Sequence, residues 1–197
     1  MDAVKRICIK ELPQTLILHL KRFEFDLDFM KKVKVNDCCE FPLRLDMDPY
    51  TLDGIERREK AAADAIQQGL DGIKAMEEVE SAPDSEYELV GVLVHTGTAD
   101  SGHYYSYIRE RTDDDPAETD DKVAKWHLFN DIHVEPFDSK ELGAASFGGS
   151  EYVEEPDPSD STRPQTKVIS RSYSAYMLFY ERRSAKHSAS RKALKGE

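Results

Sequence analysis

The stretch SGHYYSYI, running from Ser101 to Ile108, decides how the rest of the chain is read. Aromatic and β-branched residues crowd it after Gly102, which favours an extended strand over a helix. Side chains alternate along a strand, so His103, Tyr105 and Tyr107 share one face. The next compact apolar run is WHLFN, Trp126 to Asn130. Paired antiparallel, with the first residue of one run facing the last of the other, the two set His103 opposite Asn130, Tyr105 opposite Leu128 and Tyr107 opposite Trp126. A slip by one residue brings Asp131 to the histidine instead.

Such a face has two readings that the residues alone leave open. A histidine at a strand start beside a glycine turn fits a structural role, and Asn-Asp after a strand is an ordinary turn signal because both residues tolerate the left-handed region. The chemical reading is a base for a thiol. A neighbouring imidazole lowers a cysteine thiol from about 8.5 to roughly 3–4 in papain-like sites. An asparagine carbonyl that accepts a ring N–H holds that imidazole in one tautomer without adding charge. Gly102 would clear room for a substrate backbone, and HTGTADSG supplies a flexible loop just before His103.

Working outward, YELVGVLVHT (87–96), HYYSYIRE (103–110), WHLFN (126–130) and YSAYMLFYERR (173–183) read as strands. Nearer the start, Val4 to Leu12 and Thr15 to Phe23 are predicted strands punctuated by Pro13, KKVKVND adds another, and CCEFPLRL continues extended because the residue before Pro42 is pushed away from helix. The predicted core is mainly antiparallel β. Residues 55–79 change character: Ile55, Ala62, Ile66, Leu70, Ile73 and Met76 fall on one helical stripe among charges. Gly69 and Gly72 weaken that helix by about 1 kcal/mol each relative to alanine. Residues 55–84 are therefore expected to form a broken helical or disordered insertion, a solvated face in the plain reading and a docking helix in the functional one. Residues 110–122 read as a solvated acidic loop, 148–167 as a disordered loop rich in Pro, Ser and acid, and 184–197 as a basic flexible tail.

At 197 residues the chain can bury a sizeable core. A net charge of −12 argues against nucleic acid or an anionic membrane as partner, and no apolar run is long enough to span a bilayer. Three cysteines, Cys8, Cys38 and Cys39, make an odd number with an adjacent pair poorly placed to bridge to itself, which favours a reducing compartment. An intracellular setting, cytoplasmic or nuclear, is expected.

The series LPQTLILHLKRF, CEFPLRLDMDPYT, YELVGVLVHTGTADSGHYYSYI, KWHLFND and AYMLFYERR, in this order, resembles the C-terminal half of the catalytic domain of ubiquitin-specific proteases. The resemblance is strongest to the very large members of that family and covers residues 4–183. It implies an α+β, papain-like fold, with this chain supplying a mainly antiparallel β palm and fingers portion without the nucleophile-bearing thumb. It implies deubiquitination, with His103 as general base, Asn130 as the residue that orients it, and Asp131 as a second polar residue assisting catalysis. Gly102 and Tyr104 would border the channel that receives the C-terminal Gly-Gly of ubiquitin. The implied partners are ubiquitin and ubiquitinated proteins.

The family's nucleophile lies in a Gly-Asn-Thr-Cys box that these residues do not contain. Cys8, Cys38 and Cys39 do not open helices, where the dipole would favour a thiolate, and all three are expected to be buried or structural. The chain alone is therefore expected to be inactive, as the histidine-bearing part of a deubiquitinase or, alternatively, as a catalytically silent ubiquitin-binding or interaction fragment. No Cys-x-x-Cys pair is present and the scattered histidines lack ligand spacing, so no metal and no cofactor are expected.

Overall fold

A computed structural model describes residues 5–111, 124–157 and 160–183. They fall into two compact units. The first is drawn from the residues up to Leu16, from Leu43–Leu89 and from Tyr180 onward. In it, β4 (Arg44–Asp46) pairs antiparallel with the start of β5 (Glu86–Gly97), Arg44 facing Glu88 and Asp46 facing Glu86. Between them lie α1 (Leu52–Gln67) and α2 (Gly72–Glu77).

The helices begin where side chains supply the missing hydrogen bonds. The Thr51 hydroxyl accepts from the Gly54 amide at 3.0 Å and caps α1. The expected break falls at Gly69, whose φ of 73° lies in the left-handed region. Asp71 then caps α2, its carboxylate accepting from the Ile73 and Lys74 amides at 2.9 and 3.3 Å. Of the predicted stripe, Ile55, Ala62 and Met76 are half-buried, whereas Ile66, Leu70 and Ile73 are exposed.

The predicted strand from Val4 to Leu12 does not form among the described residues. Ile9 makes a single parallel bridge to Thr51, donating its amide to the Tyr50 carbonyl at 2.9 Å and accepting from the Leu52 amide at 2.9 Å. Its backbone groups are spent on the entrance of α1, so no ladder propagates.

The second unit comprises Ile17–Pro42 and Val90–Phe179. Its strands β11 (Tyr173–Arg182), β5, β6 (Gly102–Arg109), β7 (Trp126–Asn130) and β8 (His133–Phe137) neighbour one another in that order, with β1 (Thr15–His19) beside β11. From β5 to β8 every pairing is antiparallel. β5 is buried almost without interruption from Leu89 to His95, which is why its sequence runs apolar instead of alternating. Val92, Val94, Tyr107, Trp126, Ala175 and Leu178 form this unit's core.

Two hairpins stand apart from that sheet. In one, β2 (Phe23–Asp26) pairs with β3 (Lys31–Lys34), and the Asp26 carboxylate caps the turn by accepting from the Asp28 and Phe29 amides. In the other, β9 (Ser150–Asp157) pairs with β10 (Asp160–Ser170). Within the span read as a loop, 148–167, Glu151 faces Ile169, Tyr152 faces Val168 and Val153 faces Lys167. Most of the acidic loop, from 112 to 123, and the basic tail from 184 lie outside the described residues.

Candidate active site

β6 and β7 pair in a register that sets Ser106 against Phe129, Tyr107 against Leu128, Ile108 against His127 and Arg109 against Trp126. The expected pairing of Tyr107 with Trp126 and of His103 with Asn130 is displaced by two residues. The cause is β8, a strand absent from the sequence reading. Phe137 pairs with Trp126 and brings its ring to 4.2 Å from that of Tyr107, so the aromatic packing closes across three strands and not two. An even displacement leaves each side chain on its original face. His103 and Asn130 therefore meet on a diagonal, with His103 Nε2 2.6 Å from Asn130 Oδ1.

An amide oxygen only accepts, so Nε2–H is the donor in that bond, and in the neutral ring Nδ1 keeps its lone pair. The His103 side chain is 43% exposed. Asp131 follows with φ of 53°, a left-handed conformation that an aspartate tolerates in a tight turn. Its Oδ2 lies 3.9 Å from His103 Nε2, but the carboxylate is 74% exposed. Water screens such a pair, and its worth is at most about 1 kcal/mol.

Beyond His103 on the same face come Tyr105 and Tyr107, rings 5.8 Å apart. Burial, reinforced by the neighbouring Tyr107 phenol, pushes the Tyr105 hydroxyl far above its ordinary range, and burial also raises that of Tyr107. Both phenols stay neutral beside the histidine.

Gly102 and Tyr104 point to the other face of β6. A Cβ on Gly102 would stand 2.1 Å from His95 Nε2 and 2.5 Å from the Thr96 carbonyl oxygen, so the fold itself requires glycine there. Tyr104 is 44% exposed and joins an aromatic group, 4.7 Å from His95 and 5.6 Å from Tyr176, with Phe23 5.0 Å from His95. Burial raises the Tyr104 hydroxyl, helped by Tyr176. His95 was one scattered histidine in the sequence. The structure makes it a buried wall behind Gly102, lowered in pKa by burial first and by the Lys34 charge second. It stands directly across the hairpin from Tyr104. Gly102→Ala is expected to cost about 1–3 kcal/mol, the usual range for overpacking, and to displace His103. A chemical melt together with the His103 ring resonances reads both effects, and a melt unchanged from wild type would refute the close approach.

The cysteines correct one expectation. Cys8 and Cys39 are half-buried, but Cys38 is exposed. Among the described residues no group of three His, Cys, Asp or Glu side chains converges as a metal site, and no helix is long and apolar enough to cross a membrane.

A profile described as ubiquitin carboxyl-terminal hydrolase matches residues 3–180. The chain belongs to the ubiquitin carboxyl-terminal hydrolase family. It is 42% identical over 185 residues to human ubiquitin carboxyl-terminal hydrolase 34, covering 91% of this chain and 5% of that protein. To human ubiquitin carboxyl-terminal hydrolase 24 it is 40% identical over 192 residues, covering 94% of this chain and 7% of that protein. The chain thus spans a small fraction of the length of these hydrolases. Among solved structures, the SAGA Ubp8/Sgf11/Sus1/Sgf73 DUB module aligns with a TM-score of 0.52 at 24% identity, over 92% of this chain and 26% of that one. A SAGA DUB module bound to monoubiquitin aligns with a TM-score of 0.50 at 24% identity, over 89% of this chain and 25% of that one. The fold is that of the hydrolase family's catalytic domain, mostly antiparallel sheet with few helices.

Proposed function

We propose that this chain supplies the histidine–asparagine half of a thiol-dependent deubiquitinase site, which hydrolyses the isopeptide or peptide bond after the C-terminal glycine of ubiquitin. His103 is the general base, Asn130 orients it, and Asp131 stands by as a second polar group at the ring. The observation that carries this reading is the 2.6 Å contact between His103 Nε2 and Asn130 Oδ1, which directs the free lone pair of Nδ1 away from Asn130. Gly102 and Tyr104, flanking His103 along β6, are the residues we assign to the ubiquitin tail.

The chemistry follows from that lone pair. A cysteine thiol gives its proton to Nδ1, and the thiolate sulfur attacks the carbonyl carbon of the terminal glycine. The tetrahedral intermediate collapses by breaking the C–N bond, and the imidazolium returns its proton to the leaving amine. Water then gives a proton to Nδ1 as its oxygen attacks the thioester, and collapse releases the ubiquitin carboxyl group and the thiol.

The nucleophile, in this reading, is contributed from outside these 197 residues. Cys8 and Cys39 are half-buried, Cys38 is exposed, and the residues around each of them lie outside the helices among the described residues. The isolated chain is expected to release no fluorophore from ubiquitin C-terminal aminomethylcoumarin above the buffer rate. In the form of the protein that carries the cysteine, release is expected and is abolished by thiol alkylation. Release by the isolated chain would assign the nucleophile to Cys8, Cys38 or Cys39. Absence of release from the cysteine-bearing form, with ubiquitin still bound, would favour a silent ubiquitin-binding module.

A further inference from the structure

Lys34 takes no part in the hydrolytic scheme, yet its placement bears on it. The side chain is half-buried at the end of β3, and its ammonium donates to the His95 carbonyl at 2.8 Å and to the Ser172 carbonyl at 2.6 Å. The Ser172 carbonyl also accepts from the Gly97 amide at 3.0 Å. One cation thus joins three chain segments: the end of β3, the last turn-ward residues of β5, and the residue that leads into β11.

One of the segments it joins, the end of β5, faces His103. Across the β5–β6 hairpin His95 pairs with Tyr104, Thr96 with His103 and Gly97 with Gly102. Past Gly97 the connection is closed by Thr98 and Ser101, whose backbone bond is 2.8 Å. The imidazole is therefore held at its tip by the bond to Asn130, and the backbone from which it projects is held through β5 by Lys34.

The position is electrostatically costly, which argues that something holds a cation there. Burial first, and the neighbouring Arg22 charge second, bring the Lys34 ammonium down to about 8. Arg22 is itself 96% buried, since 4% of its surface is exposed, and donates to the Ala175, Val35 and Asp37 carbonyls at 3.1, 3.3 and 2.6 Å. An apolar side chain of equal length would relieve both burial and repulsion, but would leave the His95 carbonyl without this donor.

We propose that Lys34 is a positioning residue for His103: its ammonium clamps the end of β5 to the entrance of β11 and so fixes the hairpin that carries the imidazole. The proposal rests on the reading of His103 as the base.

Lys34→Met removes the donors at nearly constant volume, and Lys34→Arg retains a cation within reach of the carbonyls. In the cysteine-bearing form, Lys34→Met is expected to lower kcat for ubiquitin aminomethylcoumarin by about tenfold or more, since misplacement by an ångström can cost roughly a hundredfold. KM should stay within about threefold, the pattern of a lost transition-state interaction and not of lost ubiquitin binding. Lys34→Arg should recover much of the rate. Wild-type kcat in Lys34→Met overturns the proposal, as does a loss that Lys34→Arg fails to rescue. A second measurement needs no turnover. In the 197-residue chain, Lys34→Gln should shift the Thr98, Ser101 and Gly102 amides and the His103 ring nitrogens while leaving the β8 amides in place. Unmoved His103 resonances overturn the proposal even if Lys34→Met fails to fold. Failure of the hydrolase reading looks different: the wild-type, cysteine-bearing protein would then release no fluorophore, whatever stands at position 34.

Discussion

His103→Ala, placed in the form of the protein that carries the cysteine, is expected to lower turnover of ubiquitin aminomethylcoumarin by about 10²–10⁴, the usual share of a general base. Removing the ring takes away the group proposed as acceptor for a thiol proton and as donor to the leaving amine. Ubiquitin affinity should change little, because the proposed role places the imidazole at the reacting bond and not on the folded body of the substrate. Asn130→Ala should give a smaller loss in the same direction. It leaves the ring in place but frees Nε2–H from its 2.6 Å partner, so the productive tautomer and orientation become one state among several. Turnover of His103→Ala near the wild-type rate would remove His103 from the mechanism. A loss for Asn130→Ala as large as that for His103→Ala would mean that orientation and basicity cannot be separated here.

The second large effect concerns stability. Asp48 opens the single helical turn before α1, and its carboxylate is 2% exposed. It accepts from the guanidinium groups of both Arg57 and Arg58 and from the Ala82 amide at 3.3 Å. Asp48→Ala leaves two arginines of one helix facing each other without their shared anion, and breaking a buried pair in this way costs about 3–5 kcal/mol. The lower end is expected, because Arg57 is 42% exposed and can turn to water while Arg58, at 14%, cannot. A urea titration followed by circular dichroism measures it, and a loss below about 1 kcal/mol would class the cluster with solvated surface pairs. The adjoining Asp46 carboxylate adds a pH signature. Burial works to raise its pKa, but hydrogen bonds from Ser81, the Asp48 amide and Ser85 outweigh it and the net shift is downward. A folded pKa below the unfolded one contributes stability that is present above the unfolded value and lost as pH falls through the folded one. The first unit should therefore weaken on acidification into the carboxylate range.

Much of this arrangement was legible in the residues because alternation is a strict rule. The strands around Leu89, Tyr105, Leu128 and Leu178 follow from apolar content and period, and the break at Gly69 follows from a residue that alone accepts a left-handed turn cheaply. What could not be read is what depends on partners distant in sequence. The β6–β7 register is set by Phe137, and HVEPF, with its exposed face and internal proline, carries little strand signal by itself. The β9–β10 hairpin hides behind acid and proline, although Pro156 and Pro164 face each other near the end of its ladder, where no central hydrogen bond is lost. Ile9 failed as a strand residue because its hydrogen bonds were claimed by Tyr50 and Leu52. Lys34 and His95 gave no local sign of their placement, since each meets a carbonyl or a Cβ-free residue contributed by another segment.

The diagonal contact between His103 and Asn130 also bears on how the gene can change length. The ladder between β6 and β7 runs from Ser106–Phe129 to Arg109–Trp126, and its register is what brings the Asn130 amide to the imidazole. One codon inserted within WHLFN would rotate the amide to the opposite face and break its contact with the imidazole in a single event. Two codons inserted there would restore the face and cost only reach. Insertions among related chains should accordingly be purged between Trp126 and Asn130, a pattern that counting gaps among related genes would expose.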